Sequence, residues 1–72
     1  MTRITLKAAR VNAGYSQEEA AALLHISPYT LSNWERGLSM PKANQIAGIC
    51  DLYKVTFDML IFLPSKSALS QS

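Results

Sequence analysis

The feature that most constrains the fold is a three-residue break, His25-Ile26-Ser27, between two short helical patterns. Before the break, Ser16 stands three residues ahead of Glu19, which is the spacing of a capping box that satisfies two free backbone amides at a helix start. At the end of the break, Ser27 is a favourable N-cap and Pro28 suits the first helical position. The sequence therefore predicts two consecutive helices joined by a tight turn.

The two helices are expected over about 17–24 and from Pro28 to a stop at Gly37. In the second helix, Leu31 and Trp34 recur at a spacing of three and form the expected buried stripe. The other side carries mainly polar residues, namely Pro28, Tyr29, Ser32, Asn33 and Arg36. A connection of three residues between two short helices is typical of a helix-turn-helix.

The rest of the chain reads as three more helices around this pair. The first runs from about Ile4 to a left-handed stop at Gly14, and the fourth from about Lys42 to Tyr53. A short fifth helix, "FDMLIF", is expected after an N-cap at Thr56. No segment reads as a strand, so the sequence predicts an all-α, compact five-helix domain over 1–64 followed by a polar tail over 65–72.

Composition limits the other possibilities. The 72 residues suffice for one domain, and with one cysteine the chain has no intramolecular disulfide, which fits a reducing cytoplasm. No apolar run is long enough to span a bilayer. Seven Lys and Arg against five Asp and Glu give a net charge of +2, an excess that permits a polyanionic partner without requiring one.

The sequence offers little for catalysis, metal or cofactor binding. His25 is the single histidine and reads as a turn residue, and Cys50 occupies an apolar helical position that indicates core packing. The residue types of a Ser-His-Asp triad are present, but a chain of this size leaves little room for a substrate cleft. We therefore expect a protein that is not an enzyme and needs no metal or cofactor.

The polar side of the third helix has a second interpretation besides a solvated surface. An α-helix fits the major groove of DNA, where Ser, Tyr, Asn and Arg side chains can bond to base edges. The free amides at the start of the second helix and the side chain of Gln17 can bond to a phosphate oxygen. Polarity alone does not decide between these interpretations.

The segments "YSQEEAAALLHISPYTLSNWERG" and "VTFDML" resemble the helix-turn-helix domain of lambda-type and Cro-type repressors and of xenobiotic response element regulators. The resemblance covers about 6–60 and implies a five-helix fold whose third helix enters the major groove. It implies base contacts from Ser27, Pro28, Tyr29, Ser32 and Asn33, and phosphate contacts from Gln17, Arg36, Ser39 and Lys42. It also implies an ion pair between Arg10 and Glu35.

Three positions depart from the pattern of the family. His25 and Lys54 stand where glycine is frequent, and a left-handed backbone is less comfortable for His than for Gly. Pro28 replaces what is often a long amide side chain, so its base contact is expected to be apolar, for example with a thymine methyl group. The base preference of relatives therefore cannot be copied to this chain.

A dimer is expected because one helix-turn-helix reads only a few base pairs. The apolar side chains near the C-terminus supply a candidate interface, made of Met59, Ile61, Phe62 and Leu63. The predicted function is a sequence-specific double-stranded DNA-binding repressor of phage or mobile-element type that acts as a homodimer on a palindromic operator. Two alternatives stay open: an antitoxin-type autoregulator that binds a toxin, and a protein-interaction module that does not bind DNA. Control by a protein antagonist is also compatible with the sequence.

Overall fold

The computed structural model describes residues 3–62 and contains four α-helices. They are α1 (Leu6–Ala13), α2 (Gln17–Leu23), α3 (Pro28–Glu35) and α4 (Ala43–Tyr53). The first four helices predicted from the sequence are confirmed, with boundaries that differ by one or two residues. Leu63, which we included in the dimer interface, and the polar tail over 65–72 lie outside the described residues.

The expected fifth α-helix is wrong. Its first residues form a single 3-10 turn (Phe57–Met59), and the chain then extends into strand β2 (Leu60–Ile61). The other strand, β1 (Ile4–Thr5), lies parallel to β2, with Ile4 opposite Leu60 and Thr5 opposite Ile61. The expectation of an all-α domain without strands is therefore corrected to a mostly helical domain with one small two-stranded sheet.

Pairing between distant segments explains this correction. Two branched residues, Ile4 and Ile61, favour extended backbone, and the ladder satisfies backbone groups at both ends of the described chain. It also places Leu60 in the core, with a relative exposure of 3%. Helix α1 begins after the strand because Thr5 is its N-cap, with its hydroxyl accepting a hydrogen bond from the Ala8 amide at 3.1 Å.

The core lies where α1, α3, α4 and β2 meet. Its fully enclosed aliphatic side chains are Leu31 from α3 and Ile49 from α4. Ala20 and Ala21 of α2 have no exposed surface, and their small side chains let α2 lie close to α3. The buried apolar set is Leu6, Ala9, Ala20, Ala21, Leu31, Trp34, Ile49, Tyr53 and Leu60.

Local capping signals fix the α2–α3 pair. The capping box at the start of α2 is confirmed, because the Glu19 amide donates to the Ser16 hydroxyl at 3.1 Å and the Ser16 amide donates to the Glu19 carboxylate at 2.9 Å. The hydrogen bond from the Ser16 amide lowers the pKa of the Glu19 carboxyl group. Gly37, with a φ of 77°, follows the end of α3. Among residues 3–62, no helix is long and apolar enough to cross a membrane.

Candidate nucleic-acid interface

Helix α3 presents two sides of different chemistry. Leu31, Trp34 and Glu35 are buried against the other helices. Pro28, Tyr29, Ser32, Asn33 and Arg36 project from the opposite side, and at about 100° per residue they span roughly 140° of the helix surface. Pro28, Tyr29 and Arg36 are exposed, and Ser32 and Asn33 are half-buried. The five side chains thus share one accessible face.

The first turn of α3 is fixed by a hydroxyl pair. Ser27 is the N-cap, and its Oγ accepts a hydrogen bond from the Thr30 amide at 3.1 Å. The same Oγ lies 3.0 Å from Thr30 Oγ1. Any contact of Ser27 with a phosphate or base therefore shares a hydroxyl that already caps the helix. Thr30 was not among the residues predicted from the sequence, although its position three residues after the Ser27 cap is a signal for such a hydroxyl pair.

A buried ion pair links the buried side of α3 to α1. Arg10 Nε donates to Glu35 Oε2 at 2.8 Å, and Arg10 Nη2 lies 3.4 Å from Glu35 Oε1. Arg10 Nη1 also donates to the backbone carbonyl of Tyr15 at 2.8 Å. Each of the paired residues has a relative exposure of 8%, and the hydrogen bond to Glu35 raises the pKa of Arg10. The negative charge of Glu35 is thus compensated inside the protein, behind the face that α3 exposes.

Gln17 connects this ion pair to the start of α2. Its Nε2 donates to Glu35 Oε1 at 3.1 Å, a contact that the sequence analysis did not predict. Because a side-chain amide carries two N–H groups, one is still available for a phosphate oxygen. We name the four residues Arg10, Tyr15, Gln17 and Glu35 the polar node. It joins α1, α2 and α3, so the N-terminus of α2 and the exposed face of α3 are held in one arrangement.

Three further predicted phosphate contacts follow α3. Arg36, Ser39 and Lys42 are all exposed. Within the described part of the chain, neither cation forms a salt bridge, because the single pair there is Arg10–Glu35. The backbone amide of Lys42 donates to Gln45 Oε1 at 2.7 Å and begins α4, which leaves the ammonium group of Lys42 outside the cap. Both positive charges are therefore accessible.

Comparison with known proteins places the chain in a family. A family model described as "Helix-turn-helix" matches residues 6–60, most of the chain. The chain belongs to the helix-turn-helix family. The resemblance to Cro-type and repressor-type domains seen in the sequence is thereby confirmed.

One curated relative of this helix-turn-helix chain comes from Bacillus subtilis (strain 168) and is named "HTH-type transcriptional regulator ImmR". The two proteins are 43% identical over 56 residues, which cover 78% of this chain and 44% of the relative. The chain thus spans less than half the length of that protein. No solved structure matches.

The helix-turn-helix of this chain has a left-handed residue in its turn. The φ of His25 is 61°, in the region where glycine is favoured, as the departure from the family pattern indicated. Lys54, after α4, has a φ of 59°. His25 is exposed and Cys50 packs against the core, where burial raises the pKa of its thiol. No group of three His, Cys, Asp or Glu side chains among residues 3–62 has the arrangement of a metal site.

Proposed function

We propose that this chain is a sequence-specific double-stranded DNA-binding regulator of transcription whose α3 docks in the major groove. The observation that carries the proposal is the two-sided construction of α3. Leu31 and Trp34 are buried behind it, the Glu35 carboxylate is neutralised by Arg10, and the opposite side is accessible. An α-helix fixed in this way can insert its free side into the groove as a rigid element.

The proposed base contacts come from Ser27, Pro28, Tyr29, Ser32 and Asn33. Asn33 can bond to an adenine edge, and Tyr29 has a relative exposure of 76%. Gln17, Arg36, Ser39 and Lys42 would bond to phosphates on either side of the groove. The name of the Bacillus relative, a transcriptional regulator, supports the regulatory part of the proposal.

In its more specific form, the proposal is that the chain is a phage-type or mobile-element-type repressor. It would act in the cytoplasm as a dimer on a palindromic operator. Two α3 helices on half-sites about one turn of DNA apart would read enough base pairs for specificity. Phe57, which is 59% exposed, and the half-buried Met59, Ile61 and Phe62 near the C-terminal end of the described chain support association of two copies.

Selection of bound duplexes from a random pool tests this function directly. We expect an enriched sequence with two inverted half-sites. A pool that stays random after repeated rounds would contradict sequence-specific binding, and a single unrepeated half-site would contradict the dimer. Binding that hardly changes with salt would favour a protein-interaction module, because phosphate contacts make affinity fall steeply as salt rises.

Two substitutions then separate base reading from phosphate binding. Asn33→Ala should cost about 1 to 3 kcal/mol on the selected site and relax preference at one base position. Lys42→Ala should weaken all duplexes alike and lower the salt slope by about 1. Both are measured by fluorescence anisotropy against Asn12→Ala and Lys7→Ala, which remove the same side chains from exposed positions on α1. If each variant changes the affinity for duplexes no more than its control does, the base contact of Asn33 and the phosphate contact of Lys42 are wrong.

A further inference from the structure

The loop between α3 and α4 carries two exposed apolar side chains that are not among the proposed DNA contacts. Leu38 is 50% exposed and Met40 is 57% exposed. They stand between Gly37 and Pro41, which are both buried. The exposed part of the loop, residues 38–40, is therefore anchored in the protein at both of its ends.

Backbone hydrogen bonds hold the first end of the loop against α3. The Leu38 amide donates to the Asn33 carbonyl at 2.9 Å, and the Gly37 amide donates to the Trp34 carbonyl at 3.3 Å. These two bonds form a Schellman motif, in which an apolar residue at the position of Leu38 frequently packs against the last turn of the helix. The helix residues at the receiving positions here are Ser32 and Asn33, which are both polar. Leu38 is therefore left half exposed, next to a proposed base contact.

The other end of the loop is fixed by the start of α4. The Lys42 amide donates to Gln45 Oε1 at 2.7 Å. The amides of Gln45 and Ile46 both donate to the Lys42 carbonyl at 2.9 Å. Met40 is thus close to a fixed helix start, while its unbranched side chain can adapt to an irregular surface.

The exposed polar neighbours of the two apolar side chains are cationic or hydroxylic. Arg36 and Lys42 flank the loop, Ser39 lies within it, and residues 36–42 contain no Asp or Glu. A cationic partner would be repelled by this surface, and an uncharged apolar partner would leave both cations without a counter-charge. A DNA strand offers both chemistries, because anionic phosphates alternate with sugar rings whose carbon atoms are apolar.

From this we infer that Leu38 and Met40 pack against deoxyribose rings of the DNA strand whose phosphates the flanking residues bind. The inference rests on the proposed function and adds an apolar contribution to it. The contact removes apolar surface from water, releases no counterion and involves a group that is the same at every base pair. It should therefore strengthen binding to every duplex sequence without changing the salt dependence.

Serine substitutions test the inference in the full chain. Leu38→Ser and Met40→Ser should each weaken binding about fivefold, which is the effect expected when the exposed half of such a side chain is no longer buried by DNA. The salt slope and the base preference should stay unchanged. Lys42→Ala, in contrast, should lower the salt slope by about 1. Fluorescence anisotropy over a series of salt concentrations measures both quantities, on the selected duplex and on its single-base variants.

Two kinds of control accompany these variants. Leu23→Ser on α2 and Val11→Ser on α1 remove side chains of similar exposure, 54% and 56%, and should leave DNA affinity unchanged. Leu38→Met and Met40→Leu keep an apolar side chain and should retain the affinity. If circular dichroism shows that a serine variant is unfolded, the alanine substitution at the same position replaces it and should give a smaller loss of the same kind.

Two results would overturn the inference. One is a pair of folded serine variants that bind duplexes as tightly as their controls; if these variants also lose binding to vesicles of phosphatidylglycerol, the loop contacts an anionic lipid surface instead. The other is a relaxed preference at one base pair, which would place the side chain on a base edge. Failure of the proposed function gives a different result, because the unchanged chain then binds no duplex and Lys42→Ala has no salt slope to lower.

Discussion

Buried polar groups on the two sides of the core differ in whether they have hydrogen-bond partners. On the side of α3, the polar node buries a guanidinium and a carboxylate, and the main donors and acceptors of both groups are used. On the side of α4, Tyr53 is 4% exposed, and its hydroxyl has no hydrogen-bond partner among the described residues. The centroid of its ring lies 6.4 Å from the ring centroid of Tyr15, which is a member of the polar node.

This difference shows which helices are held in one arrangement by buried polar contacts. A partnered buried pair fixes one arrangement of the helices it joins, whereas an unpartnered hydroxyl contributes bulk but no direction. The node joins the three helices that orient the proposed DNA face. The Tyr53 hydroxyl connects no helices through hydrogen bonds. Removal of Arg10 from the node should therefore lower the free energy of unfolding, whereas removal of the Tyr53 hydroxyl should raise it.

Removal of Arg10 is expected to have the largest effect. Arg10→Met should lower the free energy of unfolding by about 3 kcal/mol, because it leaves the buried Glu35 carboxylate without its cation. Urea denaturation at neutral pH measures the change, with Lys7→Met on the exposed side of α1 as the matched control. The double variant Arg10→Met/Glu35→Met should recover most of the loss, since no buried charge is then left unpaired. A single-variant loss as small as that of the control would show that the node does not stabilise the fold.

Removal of the Tyr53 hydroxyl should have the opposite sign. Tyr53→Phe is expected to raise the free energy of unfolding by about 1 kcal/mol, because a buried hydroxyl without a partner carries an uncompensated desolvation cost. Tyr29→Phe, at an exposed position, is the control and should change little. A loss of stability in Tyr53→Phe would show that the hydroxyl has a partner in solution, such as a bound water.

The same substitution should alter the response to high pH. Burial raises the pKa of Tyr53 to about 12, while an unfolded tyrosine ionises near pH 10. Above pH 10 the unfolded chain loses a proton that the folded chain keeps. The contribution of Tyr53 to stability is therefore complete below about pH 10 and is lost as the pH rises towards about 12. Tyr53→Phe should lack this part of the decline in urea midpoints measured across that range.

The polar node and the sheet also differ in how far the sequence predicts them. Ser16, Ser27 and Gly37 act within a few residues, so their capping signals predicted the boundaries of α2 and α3. The Arg10–Glu35 pair was expected through family resemblance and is present, while the bond from Gln17 was not expected because no local pattern encodes it. The proposed contacts to bases and phosphates remain predictions.

The sheet was missed because its signal is not local. Ile4 and Leu60 pair across almost the whole described chain, and strands of two residues are too short to show an alternating pattern. Thr56 was predicted to be the N-cap of a helix, and the chain does form a 3-10 turn directly after it. Tertiary pairing then overrides the helical continuation after one turn.

The smallest predicted effects concern the left-handed residues on the two sides, His25 after α2 and Lys54 after α4. Their φ values, 61° and 59°, are nearly equal, so the backbone cost should also be nearly equal. His25→Gly and Lys54→Gly should each raise the free energy of unfolding by somewhat less than 1 kcal/mol, since glycine adopts this region without a Cβ clash but loses more entropy on folding.

The reverse change is Gly14→Ala, where φ is 89° and an added Cβ meets nothing within 4 Å. Its expected loss of about 1 kcal/mol therefore includes no clash with a neighbour and reports the backbone strain less the entropy that alanine removes from the unfolded chain. A gain at Lys54 without a gain at His25 would mean that the imidazole stabilises the turn between α2 and α3 through its own contacts.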